Sequence, residues 1–360
     1  MMKTRSLYKT LGLPVLQNRL YSSEAEARSC PRGDIDLVED LGNGLVHNQA
    51  FRPELMIYDE TYNNEQNSSP TFRVHLDAVA QIIGQYIGRE KLVEVGCGKG
   101  YFLEKLLSEG FDVSGIDPTY TGINARVRKE YFHSETNIAA TGLILRHVLE
   151  HIPDPLAFLA LLCDANGGAG KIYIEVPCFN WICARRTWFD IFYEHVNYFR
   201  MSDFKRMFGS VHYAAHSFGG QYLSIVADLG TLRPPRRDPT DTVTFPADFT
   251  DSVTGYADTD SKLAVWGGGS KGVIFSLFME RSGSRPAIVI DINEAKQGKY
   301  LPATGLQVVS PEQALESLER NSTIFVMNSN YLAEIREMTS NRFRYVTIDK
   351  EPVPDAVIKT

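Results

Sequence analysis

The run Lys91-Leu92-Val93-Glu94-Val95-Gly96-Cys97-Gly98-Lys99-Gly100 constrains the fold of this chain more than any other stretch. A short apolar strand stops in a glycine-rich turn, after which Tyr101-Phe102-Leu103 and Leu106-Leu107 open a helical pattern. Glycines at 96, 98 and 100 let the backbone take positive φ and approach a ligand with no Cβ in the way. The helix start behind them offers free N–H groups and a partial positive charge, so a polar small molecule is expected here. The G-x-G-x-G spacing is tighter than the G-x-G-x-x-G of a dinucleotide fold, and Glu94 precedes the first glycine by two. A second strand, Phe111 to Ile116, ends in Asp117, where a carboxylate can accept from both hydroxyls of a ribose.

Taken in order, VEVGCGKGYFLEKL, GIDP and HVLEHIPDP resemble the class I S-adenosylmethionine-dependent methyltransferases. The resemblance implies that Gly96, Gly98 and Gly100 pass under the methionine part of that cofactor, with Cys97 a small space-filling residue inside the turn. It implies that Asp117, followed by Pro118, holds the ribose, that Glu94 positions the turn or the cofactor amine, and that His147 of HVLEH lines the cofactor. Tyr58 and Tyr62, in MIYDETYNN, match a tyrosine pair that covers the methionine end in that family; two exposed loop aromatics are the other reading.

At 360 residues, 43% of them hydrophobic and 22% charged, the chain has room for two or three globular domains. A net charge of -7 without a basic tract argues against a nucleic-acid partner, which needs clustered Lys and Arg. No apolar run approaches the roughly 20 residues of a bilayer span. Cysteines at 30, 97, 163, 178 and 183 are scattered and odd in number, as expected in a reducing cytosol. The first 22 residues are basic and free of Asp and Glu, like an organelle transit peptide, but a plain N-terminal subdomain accounts for them equally well.

Residues 1–70 read as a small, irregular N-terminal domain. Related sugar C-methyltransferases begin with a four-cysteine zinc module, of which only Cys30 remains, with His47 nearby, so no zinc is expected. Residues 71–230 read as the methyltransferase domain, a mostly parallel doubly wound α/β sheet entered through a helix from Phe72 to about Gly88. His147 and His151 flank Glu150 at helical spacing, and a metal pair is conceivable; the absence of an H-E-x-x-H pattern favours a pocket-lining role and no metal.

The stretch Trp188 to Phe199 is dense in aromatics and sets a carboxylate beside an imidazole. An apolar pocket with few polar groups suits a desolvated general base, and His195 is the candidate. The stretch resembles the Y-H-E-H-x-x-Y-F signature of sugar 3-C-methyltransferases acting on nucleotide-linked 4-keto-deoxysugars. There the final histidine removes the proton next to the ketone. Glu194, His195, Tyr198 and Phe199 match, whereas Phe192 and Tyr193 stand where that family has tyrosine and histidine. Tyr193 or Tyr198 is then expected to supply the missing phenol, and Asn197 to touch substrate. His212 and His216 are further candidates.

A Pro-, Asp- and Thr-rich segment, 231–260, reads as a linker. Residues 261–360 repeat the strand, glycine turn and helix logic: Leu263 to Trp266, Gly267 to Gly272, and a strand ending in Asp291, 19 positions after Gly272. Taken alone this is a dinucleotide fingerprint. Its wider pattern resembles the C-terminal domain of the same C-methyltransferases, in which Lys271, with Ser270 and Gly269, would hold a substrate phosphate. The reading is a three-part Rossmann-like α/β methyltransferase with S-adenosylmethionine as cofactor, S-adenosylhomocysteine as product and a small-molecule acceptor. The alternatives are an O- or N-methyltransferase of a non-sugar metabolite, a NAD-binding protein, or a non-catalytic cofactor-binding subunit.

Overall fold

The structure, a computed structural model, describes residues 3–57, 62, 69–133, 135–136, 138–257 and 263–349; Tyr58 lies outside them. Among the described residues no helix is long and apolar enough to cross a membrane. The strand Leu92–Val95 is buried at every position, as a central strand of a sheet covered on both faces must be. Gly100 at φ +82 then starts the helix Tyr101–Ser108, whose Phe102, Leu103 and Leu106 face inward.

Around that strand stands a seven-stranded sheet in the order Val211–Ser217, Tyr222–Asp228, Lys171–Pro177, Gly142–Arg146, Leu92–Val95, Val113–Ile116, Val127–Arg128. Six strands run in one direction, and Tyr222–Asp228 runs antiparallel to both of its neighbours. The chain builds outward from Leu92–Val95 in one direction and then crosses to Gly142–Arg146 on the other side. That reversal opens a crevice at the carboxyl ends of these two strands. The entry helix is Pro70–Tyr86, with Ser69 accepting from the Phe72 N–H and Pro70 at its first turn. Pro155 likewise opens the helix Pro155–Ala165 under an Asp154 cap.

The C-terminal sheet is wholly parallel, in the order Val308–Val309, Ile288–Ile290, Leu263–Trp266, Thr323–Val326, Arg344–Thr347. It has its own reversal, between Leu263–Trp266 and Thr323–Val326. Gly272 explains the tight fit of the helix Ser270–Arg281 behind the turn: a Cβ there would lie 1.8 Å from the Gly267 carbonyl oxygen.

Two expectations are corrected. The N-terminal residues are not irregular: Thr4–Pro14, Arg32–Asp40 and Val46–Asn48 form an antiparallel sheet whose fourth strand, Asn197–Tyr198, comes from the aromatic stretch. Nor does 231–257 behave as a linker. Val243, Phe249 and Val253 are buried in one core with Leu13 and Leu37 of the N-terminal strands, Trp188 and Phe189, and Phe275 and Phe325 of the C-terminal sheet unit. Trp188 stacks on Phe275 at 5.5 Å and on Phe278 at 4.9 Å. The aromatics of this stretch therefore join the three sheets into one packed body.

Candidate active site

One cavity runs from the second glycine turn to the residues that follow the strand Gly142–Arg146, and the first glycine turn and Asp117 are not among the residues that line it. From the seven-stranded sheet come His147, Glu150, His151 and Pro177; from the C-terminal sheet come Gly267, Met327 and Asn328; Phe192, Glu194 and His195 supply the wall between them.

The first glycine turn is held by Asp117. Its Oδ2 accepts from the Gly98 N–H at 2.7 Å, and its Oδ1 accepts from the N–H and hydroxyl of Thr119, each at 2.7 Å. Gly96 (φ +78) lies directly beneath Val148, because a Cβ would meet Cγ2 at 2.4 Å; Gly98 (φ +55) faces open space. Cys97 is buried, and burial pushes its thiol up, so it is an inert filler. Glu94 is buried and its Oε2 accepts no hydrogen bond. Burial pushes its carboxyl from 4.5 to about 7, Arg146 opposing and Asp117 adding. An orphaned carboxylate beside a glycine turn with open space above it fits a cationic, backbone-cradled ligand.

His147 takes φ +52 at the end of its strand, and Leu149–His151 is a single 3-10 turn. The two histidines are therefore not stacked on one helix face. His147 lies 3.3 Å from Glu150 Oε1 and 3.2 Å from Glu175 Oε1. Burial alone would lower its pKa, but these carboxylates raise it to about 9. Glu175 is the buried hub, also 2.9 Å from His75 and from Arg146, which together hold it well below the usual carboxylate range despite its burial. His151 turns the other way, with Nδ1 2.9 Å from the Glu194 carbonyl oxygen and its ring 4.8 Å from that of His195.

His195 packs at 3.9 Å on Phe192. Burial first, with the charges of His147 and Lys271 adding, holds its pKa well below the ordinary imidazole value, so it is neutral with a lone pair. The residues around it depart from expectation. Glu194 is fully engaged, accepting from the Gln17 N–H and the Tyr62 hydroxyl, each at 2.6 Å; it positions the loop. Tyr193 is not part of the cavity wall: its ring covers Gly33, and its hydroxyl accepts from the Arg52 N–H at 2.8 Å. Tyr198 is turned inward as well, bonding the Phe192 backbone at 3.2 Å. Asn197 donates to the Ile152 carbonyl at 2.6 Å, and His212 and His216 are exposed on an edge strand. Among the described residues, the phenols that line the cavity are Tyr62, Tyr222 and Tyr331.

At the far end, the second glycine turn repeats the first. Asp291 Oδ2 accepts from the Gly268 N–H at 2.7 Å, as Asp117 does from Gly98. Ser270 accepts from Asn18 at 2.9 Å, and Gly269 lies between Asn18 and the buried Lys296. Lys271 is not a free phosphate ligand: its ammonium is 2.9 Å from Asp190 Oδ1 and donates to Gln221 Oε1 at 3.1 Å. Gln221 and Asn328 pair amide to amide at 2.8 and 3.0 Å. Spacing and motif do not single out Asn18, Asp190, Gln221 or Asn328, because each meets a partner remote in the chain.

Residues 69–216 match the family model described as a methyltransferase domain. No curated protein matches the chain. Among solved structures, it is similar to a Pyrococcus horikoshii OT3 protein (13% identity, TM-score 0.36, covering 48% of this chain and 99% of that one). Similar too are an Aquifex aeolicus SAM-dependent methyltransferase (16%, 0.34, 46% and 95%) and the N-methyltransferase NodS of Bradyrhizobium japonicum WM9 (13%, 0.32, 44% and 97%). The glycine turn, Asp117 and the orphaned Glu94 all fall inside the matched residues, so residues 69–216 are a methyltransferase domain.

Proposed function

We propose that the enzyme methylates carbon next to a carbonyl of a small acceptor held in the cavity, a nucleotide-linked keto-deoxysugar or a related metabolite. The observation that carries this reading is a cavity reaching from the second glycine turn to His147 at the end of the first sheet's strand Gly142–Arg146, with a neutral imidazole, His195, on its wall. Glu94 and the turn from Gly96 to Gly100 would hold the cofactor, with Asp117 fixing that turn and offering its remaining lone pairs to the ribose. When bound, S-adenosylmethionine supplies a methyl group on a sulfonium, whose S–C electrons stay on sulfur as the acceptor carbon takes the methyl.

His195 takes the acceptor's α-proton onto its lone pair, and the C–H electrons become the enolate. Because His195 is buried beside His147, which Glu150 and Glu175 hold as a cation, its imidazolium is short-lived, and the proton leaves to solvent or product. Tyr222, ring to ring with His147 at 4.6 Å and on the cavity wall, would hydrogen-bond the enolate oxygen. A nucleotide or phosphate end of the acceptor would meet Gly269, Ser270 and Lys296, with Lys271 released from Asp190.

The inward orientation of Tyr193 and Tyr198 favours a second reading, in which oxygen or nitrogen of a non-sugar metabolite is the acceptor. Position-specific NMR of the methylated product separates the two. His195→Ala tests the first: turnover should disappear while cofactor binding stays nearly intact, and wild-type turnover in that variant would remove His195 from the chemistry.

A further inference from the structure

The cavity wall holds a group of atoms that the methyl-transfer reading leaves unexplained. One oxygen of Glu150 and one ring nitrogen each of His151 and His195 all lie within 4.8 Å of one another. Glu150 is buried, and its Oε2 accepts no hydrogen bond. Among the described residues, its Oε1 meets His147, at 3.3 Å. A buried carboxylate oxygen with no donor costs its full desolvation, on the order of 1–3 kcal/mol, so something positive is missing at that atom. His151 is oriented as a ligand would be. Its Nδ1 sits 2.9 Å from a carbonyl oxygen, which can only accept, so Nδ1 carries a proton and the lone pair of the neutral ring is the one on Nε2. His195 presents a second lone pair. Three acceptors and no donor therefore converge on one place.

We propose that Glu150, His151 and His195 bind a divalent transition ion of the zinc type, leaving one coordination position open to the cavity. The donor set, two imidazole nitrogens and one carboxylate oxygen, is one that zinc takes and that magnesium and calcium, which prefer all-oxygen shells, do not. Ligand atoms about 2.1 Å from a tetrahedral zinc stand roughly 3.4 Å apart, so the present spread, within 4.8 Å, closes by up to about 1.4 Å on binding. Rotation of the His195 ring over Phe192 can provide that closure. The consequence rests on the proposed role of His195: the ion takes the same lone pair that would accept the acceptor's proton. Zinc and turnover are then mutually exclusive, and the ion is an inhibitory ligand of this active site.

The test titrates the full chain, stripped with a chelator, with Zn2+ and separately with Mg2+, by calorimetry and by metal analysis after desalting, with neither cofactor nor acceptor present. One zinc per chain and no magnesium are expected. Glu150→Gln and His151→Ala should each weaken zinc by roughly 100-fold or more, while His212→Ala, on the exposed edge strand, should leave it unchanged. Circular dichroism of each variant separates a lost ligand from a lost fold, and His195→Gln gives a third, milder variant. Absence of stoichiometric zinc, or zinc retained in both Glu150→Gln and His151→Ala, overturns the site. In a second arm zinc should abolish turnover without displacing S-adenosylhomocysteine, and turnover that persists at saturating zinc overturns the inhibitory role. Failure of the metal site leaves the methyl-transfer reading standing, because that reading is judged on metal-free His195→Ala.

Discussion

Glu94→Gln is the most informative substitution near the cofactor turn. Burial, against the opposing Arg146 and with Asp117 adding, raises the Glu94 carboxyl from 4.5 to about 7. The folded protein therefore binds a proton at Glu94 that the unfolded chain has already released between these values. Its stability is fully present below pH 4.5 and is lost as pH rises through 7. At 1.36 kcal/mol per tenfold, the ionised carboxylate costs the fold about 3 kcal/mol at pH 8. Glutamine has no charge to bury, so the variant should gain on the wild type by about 3 kcal/mol between pH 4.5 and pH 8. Urea unfolding of both proteins at these two pH values measures the difference with all other groups cancelling. A gap that does not change with pH, or a variant less stable at pH 8, would refute the reasoning. The same variant should bind S-adenosylhomocysteine roughly 10- to 100-fold more weakly, the loss of a charged hydrogen bond of about 1.5–3 kcal/mol. A residue that lowers stability yet raises affinity is what a cation-binding site requires.

Further substitutions probe the rest of the site. Gly96→Ala meets Val148 at 2.4 Å with φ at +78, and should weaken S-adenosylhomocysteine by at least tenfold on calorimetric titration while the far-ultraviolet spectrum is kept. Tyr193→Phe, which removes only the acceptor for the Arg52 N–H, should lower stability by about 1 kcal/mol and leave kcat within a few-fold; a kcat loss of a hundredfold or more would return Tyr193 to the chemistry. Lys271→Met leaves Asp190 buried without its 2.9 Å partner and should cost about 3 kcal/mol in a urea melt, most of which Lys271→Met with Asp190→Asn restores. Gly272→Ala places a Cβ 1.8 Å from the Gly267 carbonyl and should fail to yield folded protein, or melt far below wild type in a thermal scan.

What the sequence disclosed was local. The strand, glycine turn and helix at Leu92 to Ser108, and the similar unit at Leu263 to Arg281, follow from spacing over a dozen residues, and both appear with an aspartate holding the turn. The aromatic stretch was harder because it has no period. Of its neighbouring side chains, Phe192 and His195 face the cavity, while Trp188, Phe189 and Tyr193 face a core shared by all three sheets. Nothing in the spacing distinguishes a pocket wall from such a junction, which is why Tyr193 and Tyr198 looked catalytic. Lys271 was legible as a cation at a helix start, but its partner Asp190 comes from another sheet unit. The meeting of His151 with His195, and of Asn18 with Ser270, likewise exists only in three dimensions. A left-handed residue at His147 broke the helical spacing that would have paired it with His151.

The central claim is that the first glycine turn holds the cofactor and the second does not. Calorimetric titration of the full chain with S-adenosylhomocysteine tests it most directly, in wild type, Gly96→Ala and Gly269→Val. The account predicts one site per chain, lost or strongly weakened in Gly96→Ala and unchanged in Gly269→Val. No binding to the wild type, or binding lost in Gly269→Val and kept in Gly96→Ala, would contradict it.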